Sequence, residues 1–373
     1  MVLLLGALAL ASSIVHPAGR PGEVQTLYQS PPHQTISAFA ENHGVLAWFE
    51  PNPKKCNVVW VLQGVVRDSL PAQGGSHRNV TCRWQVPAGS AVNLALATGA
   101  STVSALWSLR ESATHSPVRF DYVLGAALSD RNERRFQEVA HGNRGAGLWL
   151  GGLAGDGDTL VFAISDVAFK DEVACLSTPT APHACDMETR GGGVYRVVGR
   201  KAPALVKGTT AAVAVACAGS SVAYLRAAPA ATSSGRPVPS PSLPVEVRDA
   251  QTGSLVTSIA PTGTPVAVAL SADVLALLEQ TPSGMTLAWY DPAGGDALGE
   301  IPVPATTTGL AAGRGVIAYR VGRSIRVVDA AGKRSRVLAK AAETPIGLTV
   351  DGLRVAWAEN VAGRGRIRAV TVG

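Results

Sequence analysis

AAGRGVIAYRVGRSIRVVDAAG, residues 311–332, is one compact unit that recurs along the chain. It holds a Gly-Arg-Gly turn, an apolar strand with the pair Ala318-Tyr319, a tight turn, and a second strand that ends on Asp329 ahead of Gly332. That is the middle of a four-stranded repeat. The same grammar stands at Asp351-Gly352 with Ala356-Trp357, at Gly219 with Ala223-Tyr224 and at His43-Gly44 with Ala47-Trp48. Val161-Phe162 and Ala276-Leu277 extend the series, with a weaker equivalent at Ala105-Leu106. The last two intervals, 318 − 276 = 42 and 356 − 318 = 38 residues, match the period of a four-stranded β repeat.

The strand after each pair has its own ending. VEVRD (245–249), LAWYD (287–291) and IRVVD (325–329) each close on Asp with Gly three or four residues on. The Asp side chain can accept hydrogen bonds from amides two residues along while Gly takes the positive φ, so these are hairpin turns before they are chemistry. Counting repeats gives seven, at about 35–87, 88–141, 145–208, 209–262, 263–305, 306–342 and 343–373. The seventh shows three strands, at 346–350, 353–359 and 366–372, before the chain ends. EVQTLYQS, residues 23–30, precedes the first repeat and can supply the missing strand. The expected fold is therefore all-β: a single seven-bladed β-propeller, with the ring closed by an N-terminal strand completing the last blade. Such closure removes the exposed edge that an open array would carry.

Turn followed by Val-Ala-aromatic, and strand ending in Asp before Gly, resembles the TolB-like and WD40-like bacterial β-propellers. The resemblance runs from about residue 23 onward and consists of fold marks. The Trp-Asp dipeptide and Gly-His pair of true WD40 repeats are absent. It implies a ring with a central channel and binding surfaces at its two faces, commonly used for protein partners, and it carries no catalytic residue onto this chain.

Of 373 residues, 46% are hydrophobic and 16% charged, enough apolar material for a core and too little charge for disorder. Val2 to Ala11 is an apolar run that leads into Ser12 and Ser13, with Ala9 and Ala11 in an A-x-A arrangement. Residues 1–20 read as a secretory signal or a short N-terminal anchor, and 21–373 as the propeller. No later stretch offers the about 20 apolar residues of a spanning helix, and no Cys follows the apolar run to carry a lipid. The expected location is secreted, periplasmic or in the cell envelope. Cysteine usage agrees with export. Cys56 with Cys82 and Cys175 with Cys185 are the expected disulfides, one of several connectivities, with Cys217 free and buried in an apolar strand.

Three insertions lengthen the early repeats, at 63–77, 170–193 and 226–244. The last, RAAPAATSSGRPVPSPSLP, has too little apolar content to pack and reads as a mobile loop. The insertions of repeats three and four both join second to third strands, so they are expected on one face of the ring.

Little catalytic chemistry stands out. There is no Gly-x-Ser-x-Gly elbow and no His-Glu-x-x-His, and the seven histidines are scattered, mostly in turns. GDGD at 155–158 places two carboxylates close together, but it lacks the further ligands of a calcium loop and aligns with an ordinary turn. No metal site and no cofactor is expected. Asn79-Val80-Thr81 matches a glycosylation triplet. From residue 301 to the end there are 12 Lys or Arg and 4 Asp or Glu, so 12 − 4 = +8 against +6 for the whole chain. This basic sector either attracts an anionic partner or guards blade edges. Nucleic acid is not expected, because aromatic interleaving is missing. The candidate binding residues are Lys170, Asp171, Glu172 and Arg190 of the third repeat's insertion, Arg236 of the fourth's, and Arg320, Arg323 and Arg326 of the basic sector. The functional expectation is an exported, non-enzymatic binding or scaffold module for a protein or an anionic extracellular polymer. The alternative is a lyase or hydrolase acting on a sugar or lactone at the channel mouth, which the almost wholly apolar inner strands disfavour.

Overall fold

The computed structural model describes residues 20–50, 58–63, 66–71, 92–98, 103–109, 122–127, 147–197, 203–230 and 236–373. Residues 1–20 fall almost wholly outside these, as do Cys56, Cys82 and the Asn79 triplet. Strand β1 (Gln25–Gln29) comes first. Seven antiparallel sheets follow among the described residues. The first holds β2 (Ala38–Asn42), β3 (Val45–Glu50), β4 (Val58–Gln63) and β5 (Val66–Pro71). The second holds β6 (Val92–Thr98), β7 (Val103–Leu109) and β8 (Tyr122–Ala127). In the third are β9 (Gly147–Asp156), β10 (Thr159–Phe169), β11 (Met187–Arg196) and β12 (Ala204–Leu205), with helix α1 (Glu172–Ser177) between β10 and β11. The fourth has β13 (Ala212–Ala218), β14 (Ser221–Arg226), β15 (Val245–Asp249) and β16 (Leu255–Ile259). The fifth has β17 (Thr264–Leu270), β18 (Leu275–Thr281), β19 (Gly284–Tyr290) and β20 (Ala297–Val303). The sixth has β21 (Thr307–Gly313), β22 (Val316–Val321), β23 (Ser324–Asp329) and β24 (Arg334–Lys340). The seventh has β25 (Ile346–Asp351), β26 (Arg354–Val361) and β27 (Arg364–Thr371). Each sheet is a meander, and β1 pairs antiparallel with β27, Gln25 opposite Ala369 and Gln29 opposite Arg366.

The small-large pair that marks each repeat has a packing reason. Neighbouring residues of a strand point to opposite faces of its sheet, so Ala and the aromatic look toward different neighbours. Tyr319 shares a packed cluster with Ala276 of the sheet before it. Trp357 does so with Ala318, and Leu277 with Ala223. Trp48 of the first sheet lies in a cluster with Ala356 of the seventh. Each large side chain fills the hollow that a small residue leaves on the preceding sheet, and Trp48, Trp357, Tyr224 and Tyr319 are all among the most completely buried side chains. Core thus lies between sheets, and the outer strands, such as β16 and β24, are exposed.

The aspartate turns form as expected, with one displacement. Asp249 accepts from the amides of Gln251 and Thr252 at 3.0 and 2.7 Å, and Asp291 from those of Ala293 and Gly294 at 3.1 and 2.9 Å. The left-handed residue is the fourth after each Asp: Gly253 at φ 76° and Gly295 at φ 83°. In the sixth sheet Gly332 stands one place too early, and Lys333 takes that conformation at φ 52°.

Residues 226–244 are not a free loop in their described parts. Ala227 bridges Pro239, the Ala228 amide donates to Val238 O at 2.8 Å, and Ser240 N donates to Arg226 O at 2.9 Å. Backbone pairing at its base, rather than apolar burial, holds the segment. No helix among the described residues is long and apolar enough to cross a membrane.

Candidate functional site

The hairpins that join first to second strands converge at one end of the molecule. They surround a cavity of about 540 Å³ whose described lining comes from six sheets, with Glu41, Asp156, Cys217, Asp273, Arg314 and Asp351 around it and Val215, Val268, Leu310 and Leu348 also in its wall. Asn42 reaches from the first sheet to Asp156 of the third, Nδ2 to Oδ1 at 2.8 Å, and takes a hydrogen bond from Thr98 of the second. The aspartates here are already engaged. Asp156 also accepts from the Gly219 amide at 2.6 Å and pairs with His43 at 3.0 Å, and Asp351 accepts from the Gly44 amide at 2.7 Å. GDGD is therefore a turn whose first carboxylate ties neighbouring sheets together. Cys217 is free but only half-buried, contrary to expectation, because its strand lines this cavity instead of a closed core. Desolvation in the cavity wall and the nearby Asp156 push its thiol pKa up, which disfavours the nucleophilic thiolate.

Second-to-third connections emerge at the opposite end, and both long insertions lie there. They touch: Glu188 bridges Ala230, and the Thr189 amide donates to Pro229 O at 2.8 Å. Cys175 and Cys185 are joined, Cα atoms 4.6 Å apart. Within the cross-linked loop Asp171 caps α1 by accepting from the Ala174 amide at 2.8 Å, and Glu172 sits in the first turn, favourable for the helix dipole. Lys170 pairs with Asp186 at 3.6 Å, and its amide donates to Asp186 O at 2.9 Å. Arg190 pairs with Glu188 at 2.7 Å and donates to Phe169 O at 2.8 Å. Arg236 is exposed in the second insertion.

The structure places Lys170, Asp171 and Glu172 at the start of one insertion, with Arg190 on β11 donating to the neighbouring Phe169 O, but it ties the basic-sector arginines to their own sheet and its neighbour. Arg320 donates to Thr308 Oγ1 at 3.0 Å and to Pro345 O, and burial lowers its pKa. Arg323 donates to Ala342 O at 2.7 Å, and Arg326 to Tyr319 Oη at 3.2 Å. They sit toward the same end as the insertions, since Arg323 occupies a second-to-third turn, yet two sheets away. Sequence reasoning passed over Val173 and Leu176. No residue of α1 is buried, and these two are 76% and 75% exposed, more than any other large apolar side chain described. Their signal was the i, i+3 spacing within EVACLS.

No family model matches the chain, and no curated protein matches it. Solved structures do. The β-propeller domain of the Trilobed protease from Pyrococcus furiosus, described as having an open velcro topology, matches with 10% identity and a TM-score of 0.53, over 90% of this chain and 95% of that one. A chain of the mitotic checkpoint complex matches with 11% identity and a TM-score of 0.50, over 98% of both. BamB from Moraxella catarrhalis is a weaker likeness, 12% identical with a TM-score of 0.42 over 93% of this chain and 99% of that one. At these identities the likeness is one of fold: this chain has a β-propeller fold.

Proposed function

We propose that the chain is an exported, non-enzymatic binding module, with residues 21–373 forming one seven-bladed ring zipped by β1 and residues 1–20 serving as its secretory signal or anchor. The pairing of β1 with β27 supports the zip, as does the packing of Trp48 against the seventh sheet. The disulfide between Cys175 and Cys185 favours an oxidising compartment. The binding face is the end that carries the two insertions, and its partner is a protein.

One observation carries this reading. A six-residue helix with no buried side chain is too short to persist alone, yet α1 is capped and cross-linked so that Val173 and Leu176 face solvent. A fixed, exposed apolar pair inside a polar rim is the form of a protein-docking contact. The charged rim is Asp171, Glu172, Lys170 and Arg190, with Arg236 on the neighbouring insertion. An anionic polymer is the second reading, favoured by the cationic outer strand β24 with exposed Arg334, Arg336 and Lys340.

Crosslinked capture from the envelope and extracellular fractions of its own cells tests both. Residues 21–373 should capture a saturable protein partner. Val173→Ser with Leu176→Ser should weaken capture about tenfold or more, the loss of two central apolar contacts, while Arg334→Ala with Arg336→Ala leaves it unchanged. Capture untouched by the α1 substitutions but abolished by the arginine substitutions, or by moderate salt, would replace the protein reading with the polymer one.

A further inference from the structure

At the cavity end of the junction between the first and seventh sheets, two carboxylates face one guanidinium. Glu41, on β2, has a wholly buried side chain that accepts from Arg354 on β26 and from Thr349 on β25 at 3.3 Å. Asp351, at the end of β25, lies 3.5 Å from the same Arg354 Nη2 and accepts from the Gly44 amide of the β2–β3 turn. The Arg354 Nε is buried without a hydrogen bond, so both described carboxylate contacts fall on Nη2. Two negative charges against one positive leave the pocket one proton short of neutrality, and such an excess in a low-dielectric site is costly.

We propose that this junction is a proton-taking latch: the Glu41 carboxyl holds a proton while the first and seventh sheets are locked together, and loses it as they loosen. One proton enters the pocket on locking and one leaves on release. Burial pushes the Glu41 pKa up to about 7, and Asp351 adds to the rise against the opposing pull of Arg354. A carboxyl raised in the folded state takes up protons on folding, so its contribution is greatest below its unfolded value and is lost as pH climbs through about 7. The latch is tight in mild acid and loose in mild alkali, the reverse of a simple ion pair.

Other groups around β2 do not offset this. His43 and Asp156 are paired with each other at 3.0 Å, the described side chains of β6 carry no charge, and Glu359 of β26 is engaged with Arg366 at 3.0 Å and with the Ala342 amide at 2.7 Å.

Thermal melting and amide exchange at pH 5.5 and 8.5 test the latch on the full chain. The wild type should melt about 2 °C or more lower at pH 8.5, with faster exchange confined to residues 38–44 and 346–354. Glu41→Gln, which cannot ionise but still accepts from Arg354, should abolish the difference. Asp351→Asn, which removes the competing anion, should shrink it even if the glutamine variant folds poorly. His43→Asn should leave it intact, which separates the latch from histidine titration. A wild-type melting temperature that is flat or rises over this interval, or a fall that Glu41→Gln and Asp351→Asn both retain, would overturn the proposal.

Discussion

Trp357→Ala is expected to cost about 3–5 kcal/mol, the range for emptying a buried aromatic site. Trp357 is 1% exposed and fills the space between the sixth and seventh sheets, against Val316, Ala318, Val327 and Val370. No neighbour can collapse into the void without moving a paired strand. Since whole domains are stable by about 5–15 kcal/mol, the urea midpoint should fall by about a fifth or more with an unchanged slope. Trp357→Phe should recover most of the loss, because the indole Nε1 is buried without a hydrogen-bond partner and its removal leaves nothing unsatisfied. A loss of stability under about 1 kcal/mol for the alanine variant, on the same scale, would mean that this side chain is not between two sheets.

Two adjacent glycines give the second large effect and its control. A Cβ on Gly151 would lie 2.5 Å from both C and O of Val213, backbone atoms of β13 in the next sheet. One on Gly152 would meet nothing closer than Val215 N at 3.6 Å, an ordinary contact. Gly151→Ala must therefore push the first strands of the third and fourth sheets apart, and a cost of about 3 kcal/mol is expected, the upper range of overpacking. Gly152→Ala should change stability by less than about 1 kcal/mol. Equal losses in chemical denaturation would contradict the close approach of β9 and β13. The same constraint explains why inner strands such as AVAVACA (212–218) use small residues: near the axis the backbones themselves are in contact.

Much of this was legible because it repeats. The pair Ala-aromatic encodes which face of a strand meets which neighbour, and that is a local property written at Ala47-Trp48, Ala318-Tyr319 and Ala356-Trp357 alike. The Asp turns were equally readable, except that in the sixth sheet the positive φ belongs to Lys333 and not to Gly332, one place earlier. Other features had no sequence period to betray them. Glu41 lies more than 300 residues from Arg354, 354 − 41 = 313, and from Asp351, and each of the three looks like an ordinary turn or strand-end residue. Cys217 read as core because apolar neighbours surround it in sequence, whereas a strand beside an axial cavity has one open face. In α1 the apolar pair was hidden by its shortness, since two residues make no stripe.

Everything proposed for the two faces depends on the first strand zipping the last sheet. Thr26 and Arg368 stand opposite each other in the β1–β27 ladder, and directly paired residues of an antiparallel ladder have Cα atoms about 4.5–5.5 Å apart, within disulfide range. The decisive measurement is the state of the two new thiols in a Thr26→Cys, Arg368→Cys variant under mild oxidation. The account predicts a complete intramolecular cross-link and a higher melting temperature, since the bond would close a loop of 368 − 26 = 342 residues and such constraints contribute up to about 5 kcal/mol. Thiols that remain open to alkylation, or that join only between chains, would contradict it and leave the sheets as an open array.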